Sequence, residues 1–174
     1  MSPVGDIERI TQDRVITLFT KPDGLNYTYL GNWHERPDNS NIEEGLLSNY
    51  LHENGYTQTL IKKAIYELKK VAGVQNKNLY GINKDVYTIL RYGAKVREDV
   101  GENTQTVRLI DWENPQNNHF AIAEEVSIKG ENRKRPDIVI YVNGIALGVL
   151  ELKRSTVSVS EGIRQNLDNQ KSMF

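Results

Sequence analysis

Two near-continuous apolar runs, Asp137 to Val142 and Ile145 to Leu152, are joined by Asn143-Gly144. Asn-Gly between such runs is the strongest short-range hairpin signal, because the favoured two-residue turn needs positive φ at both positions. Strands that are apolar on both sides belong in the middle of a sheet covered by helices. The pair therefore commits this part of the chain to the interior of a layered structure.

The remaining pattern supplies the layers. Ile7, Ile10, Val15, Leu18 and Phe19 form an imperfect stripe at helical spacing, stopped by Lys21-Pro22-Asp23-Gly24. Asn26 to Leu30 is short and β-prone, and Gly31 to Asn41 is polar and turn-rich. Ser40 with Glu43 three residues later has the form of a capping box. It opens a helix with Ile42, Leu46, Leu47, Tyr50 and Leu51 on its inner face, closed by Asn54-Gly55. A further helix is predicted from about Thr57 to Ala72 with Gly73 as its C-cap, and a shorter one over Lys84 to Arg91. The period then changes. Strands are predicted over Thr106 to Trp112 and Phe120 to Ile128, separated by a turn with Pro115, and a polar helix over Ser160 to about Ser172. The sum is one α+β domain over 1–174, helical to about residue 100, with a β-meander and a helix from about 104.

Composition excludes several classes. A chain of 174 residues with 38% hydrophobic and 26% charged content can bury an ordinary core. A net charge of -1 rules out a general polycation, so any grip on nucleic acid must be local. With no cysteine there is neither a disulfide framework nor a thiolate metal site, which fits the cytoplasm. No apolar run reaches the roughly 18 residues of a membrane helix, and no Gly-X4-Gly-Lys-Ser/Thr phosphate loop occurs, so ATP hydrolysis is not expected of this chain.

Charges stand at the ends of the two apolar runs: Asp137 after Arg135-Pro136, and Glu151 and Lys153 on either side of Leu152. Alternation along a strand puts Glu151 and Lys153 on one face. A strict two-residue loop pairs Val142 with Ile145 and Asp137 with Leu150, which separates the two acids. An odd-length loop, or one bulge along the ladder, restores a common face. If the acids converge, two carboxylates and the Leu152 carbonyl give a partial oxygen shell suited to Mg²⁺, which completes its octahedron with water and phosphate. Lys153 would then neutralise charge developing on a phosphodiester or hold the attacking water. The plain alternative is a solvent-facing ion pair at a strand end.

The order of these residues resembles the PD-(D/E)XK nuclease motif, and more narrowly the N-terminal nuclease domain of the R (restriction, motor) subunit of type I restriction enzymes. The resemblance is carried by Thr11-Gln12-Asp13-Arg14-Val15-Ile16, Tyr27-Thr28-Tyr29-Leu30-Gly31, Arg135 to Arg154, and Glu161 to Leu167. It implies a restriction-endonuclease-like fold with a mixed central sheet flanked by helices. It also implies Mg²⁺-dependent cleavage of double-stranded DNA, with Asp137 and Glu151 as metal ligands, Lys153 as a catalytic residue and Gln165 as support. The family often writes a tyrosine four residues after that glutamine, where this chain has Asn169. ATP binding and translocation belong to motor domains outside this chain, so a fragment of a longer subunit is expected. Modification and specificity subunits are the implied partners, with no membrane.

An N-terminal acid often joins such sites. Glu8 is the first candidate and Glu43 the second, although capping also accounts for Glu43. Lys129, Arg133, Lys134 and Arg135 cluster before Asp137 and suit phosphate contacts. Lys62, Lys63, Lys69 and Lys70 read as the wet face of their helix, and His34, His52 and His119 lack ligand spacing. Two other readings stay open: a non-catalytic DNA-binding or assembly module, and a stand-alone repair nuclease.

Overall fold

The computed structural model describes residues 3–74, 76–127 and 135–152, together with 163, 164, 167 and 168; the side chains of 3–8 fall outside that description. In chain order its elements are α1 (Pro3–Thr20), β1 (Thr28–Asn32), α2 (Glu44–Glu53), α3 (Gln58–Ala72), α4 (Leu79–Tyr92), β2 (Ala94–Val96), β3 (Gln105–Val107), a 3-10 turn (Pro115–Asn117), β4 (Phe120–Glu124), β5 (Ile138–Val142) and β6 (Ile145–Leu150). The fold is mixed α+β, as expected. Two compact units divide it, one of residues Met1–Asn41 and Phe120–Met173, the other of Ile42–His119.

The first unit is built on a four-stranded sheet in the order β1-β4-β5-β6, with β1 parallel to β4 and the other pairs antiparallel. Ala121, Ala123, Val139, Tyr141 and Ala146 share one face and pack with Trp33 and Val126. The Trp33 and Tyr141 ring centroids are 5.5 Å apart. A fully buried valine such as Val139 contributes about 1.5–3 kcal/mol relative to exposure, and each alanine about a single carbon's worth, roughly 0.8 kcal/mol. The opposite face carries Phe120, Ile122 and Glu124 beside Tyr29, which pairs with Ile122. There Phe19 of α1 meets Tyr27 edge-on, and Tyr27 stacks on Phe120 at 5.1 Å.

In the second unit, α3 has the predicted bounds. Thr57 caps it through a hydrogen bond from the Leu60 N–H, and Leu60, Ile61, Ala64, Ile65 and Leu68 are buried. α2 closes at Asn54 as expected, but it starts at Glu44 with Glu43 in the N-cap position, where the sequence pattern had put Ser40. α4 is longer than its apolar pattern suggested, because the Asn78 side chain accepts from the Gly81 N–H and starts the helix five residues earlier. The strand expected over Thr106 to Trp112 is only β3. It pairs with β2, which was not foreseen, and Leu109 and Ile110 are buried beyond the end of the strand. Asp111 folds the next turn by accepting from the N–H groups of Glu113 and Asn114. In the first unit, Ile10 and Leu18 of the expected α1 stripe are exposed, at 50% and 62%.

Gly93 ends α4 at φ +83, and a Cβ there would lie 2.7 Å from both the Val107 carbonyl oxygen and the Thr106 methyl. Gly93→Ala is therefore expected to cost about 2–4 kcal/mol, from left-handed strain plus overpacking. A urea midpoint unchanged from wild type would disprove this account of the α4–β2 corner.

Candidate active site

The Asn143-Gly144 loop has two residues, both at positive φ (52° and 82°), and Val142 pairs with Ile145. Tyr141 still pairs with Ala146, but Ile140 pairs with Gly148, so Leu147 is a surplus residue. This is a β-bulge, and it shifts the rest of the ladder by one. Ile138 then pairs with Leu150. Continued one step outward, this register sets Asp137 opposite Glu151, at positions that alternate onto the face of Val139 and Val149. Of the two devices that could bring the acids together, the chain uses the bulge.

Asp137, Glu151 and Leu152 are all half-buried. The Leu152 N–H donates to Asp137 Oδ2 at 2.6 Å, which fixes the carboxylate against the backbone that follows Glu151. The Asp137 carbonyl accepts from the Glu125 N–H at 2.9 Å, so the backbone is held on both sides of the acid. Among the described residues no group of three His, Asp or Glu gathers as a ready metal site. Two carboxylates on one face still fit a hard cation that takes its other oxygens from water and phosphate.

Several expected participants cannot be placed. Lys153, Gln165, Asn169, Lys129, Arg133 and Lys134 lie outside the described residues. Glu8 lies in α1 one turn before Gln12, with its side chain likewise outside. Glu43 is in the helical unit at the α2 N-cap. Arg135 is exposed and engaged: its Nε pairs with Glu125 Oε2 at 2.7 Å, and Nη1 approaches His34 Nδ1 at 2.5 Å.

The residue that sequence reading missed is Glu124. It is 2% exposed at the end of β4, on the sheet face opposite the two acids. Its Oε2 accepts from Arg9 Nη1 at 2.9 Å and Gln12 Nε2 at 2.7 Å, and its Oε1 accepts from the Tyr29 hydroxyl at 2.6 Å. Gln12 also donates to Glu125 Oε1 at 3.2 Å. Burial drives the Glu124 carboxyl upward, but the hydrogen bonds from Tyr29 and Arg9 outweigh it and hold the group below its ordinary value. Tyr29 is pushed up to about 12 by burial and by its bond to Glu124. The Arg9 guanidinium is raised, chiefly by the same carboxylate. The only available signal was that Gln12 and Tyr29 sit in two of the stretches that carried the resemblance. An acid pair at 124–125 looks like ordinary surface until the fold buries one member.

With this geometry in view, the chain can be compared with known proteins. The model of the family described as the type I restriction enzyme R protein N-terminus matches residues 8–174, and the chain belongs to that family. It is 35% identical over 75 residues to the type I restriction enzyme HindI endonuclease subunit of Haemophilus influenzae, covering 41% of this chain and 7% of that one. Two candidate type I restriction enzyme endonuclease subunits of Methanocaldococcus jannaschii are also similar. MjaIXP is 34% identical over 96 residues (52% of this chain, 9% of the relative) and MjaVIIIP 31% over 113 (65% and 10%). The matched part is thus a tenth or less of each relative's length. Among the described residues no helix is long and apolar enough to cross a membrane.

The Glu124 cluster sets both flanks of stability against pH. A depressed carboxyl stabilises the fold above the ordinary glutamate value and loses that contribution as pH falls below about 4.3. A raised phenol stabilises below its ordinary value of about 10 and loses the contribution as pH climbs from there toward about 12. Tyr29→Phe should remove the alkaline flank and cost about 1.5–3 kcal/mol at neutral pH, the range for a hydrogen bond to a charged group. Urea titrations across pH measure both, and an alkaline flank that survives in Tyr29→Phe would show that another group causes it.

Proposed function

We propose that residues 1–174 act as one nuclease domain that hydrolyses phosphodiester bonds of double-stranded DNA with Mg²⁺. The supporting observation is the bulged register, which sets Asp137 across from Glu151 while the Leu152 N–H orients the Asp137 carboxylate. A cation bound there polarises the scissile phosphate and makes water a usable nucleophile near neutral pH. Asp137, Glu151 and the Leu152 carbonyl hold it, with Glu8 as the candidate further acid. Lys153 offsets charge developing on the phosphate or positions the water, and Gln165 supports that arrangement. Lys129, Arg133, Lys134 and Arg135 contact the DNA backbone; Arg135 exchanges its pairing with Glu125 for phosphate.

The family membership and the names of the relatives support the wider setting. In the complete subunit this domain cuts DNA that ATP-driven motor domains translocate, in a cytoplasmic complex with modification and specificity subunits. The target sequence is then read by the specificity subunit.

Asp137→Ala and Lys153→Ala in the intact complex are expected to lower DNA cleavage at least about a hundredfold, as loss of a preorganised electrostatic group does. ATP hydrolysis should continue, and chelation of divalent cations should stop cutting. Linearisation of a supercoiled plasmid measures cleavage directly. Full cutting by either variant would refute the catalytic assignment, and the domain would then be a non-catalytic module.

A further inference from the structure

The exposed side of α4 carries an arrangement that the nuclease site does not use. Tyr80, Lys84, Tyr87 and Arg91 follow one another at intervals of four, three and four residues. At 3.6 residues per turn they fall within about 60° of the helix circumference, in a stripe about 16 Å long. All four are exposed, Tyr80 by 77% and Tyr87 by 57%. Among the described residues, the Tyr80, Lys84 and Tyr87 side chains make no hydrogen bond or ion pair. Trp112, 41% exposed, extends the row at its far end. Its indole N–H donates to the Leu90 carbonyl at 2.8 Å, and the Arg91 guanidinium lies 5.6 Å over its ring. The single acid of α4, Asp85, is paired with Lys77.

We propose that this stripe is a second DNA contact, which binds the phosphate backbone of duplex DNA. Every side chain in the row can donate a hydrogen bond, and none carries negative charge. An ammonium, a guanidinium and phenol hydroxyls are the groups that contact phosphate oxygens without reading sequence. Lys84 and Arg91 stand about 10 Å apart along the helix axis, so each can neutralise a separate phosphate. An acidic protein surface would meet the same cations, but two solvated phenol hydroxyls in line with them match a regular row of acceptors better. The proposal rests on reading the domain as one that handles DNA, and it does not depend on Asp137 or Glu151 being catalytic.

The test is equilibrium binding of fluorescently labelled duplex by the intact protein, in a salt series without divalent cation, so that no cleavage occurs. Lys84→Ala with Arg91→Ala should weaken binding by a similar factor for every sequence. It should also reduce the slope of log affinity against log salt by about 1.8, two phosphates at about 0.9 each. Tyr80→Phe with Tyr87→Phe, which keeps both rings, should weaken binding several-fold and leave the slope unchanged. These positions are exposed, and unchanged circular dichroism would confirm that the variants fold. Unchanged duplex affinity and slope in the lysine–arginine variant, or a loss confined to single strands, would overturn the proposal. Altered assembly with partner subunits at unchanged DNA affinity would overturn it too, and assign the stripe to a protein.

Discussion

One buried charge organises the sheet unit. The Glu124 carboxylate ends a strand with almost no access to water, and an ion in that position is tolerated only when its lone pairs are occupied. Three partners come from two separate elements, Arg9 and Gln12 from α1 and Tyr29 from β1. A helix and a parallel strand more than ninety residues away in the chain are thus tied to the end of β4 by chemistry more directional than apolar packing. Glu125 continues the tie: its carboxylate takes Gln12 and Arg135, and its N–H holds the Asp137 carbonyl. Anything that loosens Glu124 disturbs the backbone on which the first candidate metal ligand is carried.

The two acids and the buried anion occupy opposite faces of one sheet, which separates their duties. On the face of Val139 and Val149, Asp137 and Glu151 are only half-buried. On the other face, Glu124 is saturated by neighbours and shut off from solvent. A carboxylate surrounded by that many donors makes a poor metal ligand and a good anchor. The helical unit is organised differently, by the apolar faces of α2, α3 and α4 and the short β2–β3 ladder, and its exposed side holds the cations and phenols of the α4 stripe.

How much of this was readable depended on whether the signal was local. Thr57 and Gly73 bound α3 correctly because capping is a property of a few adjacent residues. The Asn143-Gly144 turn, and the need for either an odd-length loop or a bulge, followed from counting, and the ladder has the turn and the bulge. Short strands failed: β2 has three residues, and its pairing with β3 is decided by the fold around it. The start of α4 was missed because Asn78 reads as one more polar residue in a loop. Glu124 was invisible for a deeper reason, since burial of an acid is decided by partners that sequence distance conceals. Lys153 and Gln165 fall beyond the described residues, so for them the reading stands as a proposal.

The bulge at Leu147 has a consequence in terms of parity. Thirteen residues, 138 to 150, separate Asp137 from Glu151. An unbulged hairpin with a two-residue turn always places an even number between facing partners, so an odd spacing obliges the ladder to discard one residue somewhere. The turn and the acids therefore belong to two registers, and Leu147 is the seam between them. A hairpin one residue shorter, without Leu147, would have no seam and would still set the same acids face to face. What this stretch of chain conserves by its geometry is the phase of the acids relative to each other, and its length can vary around that phase.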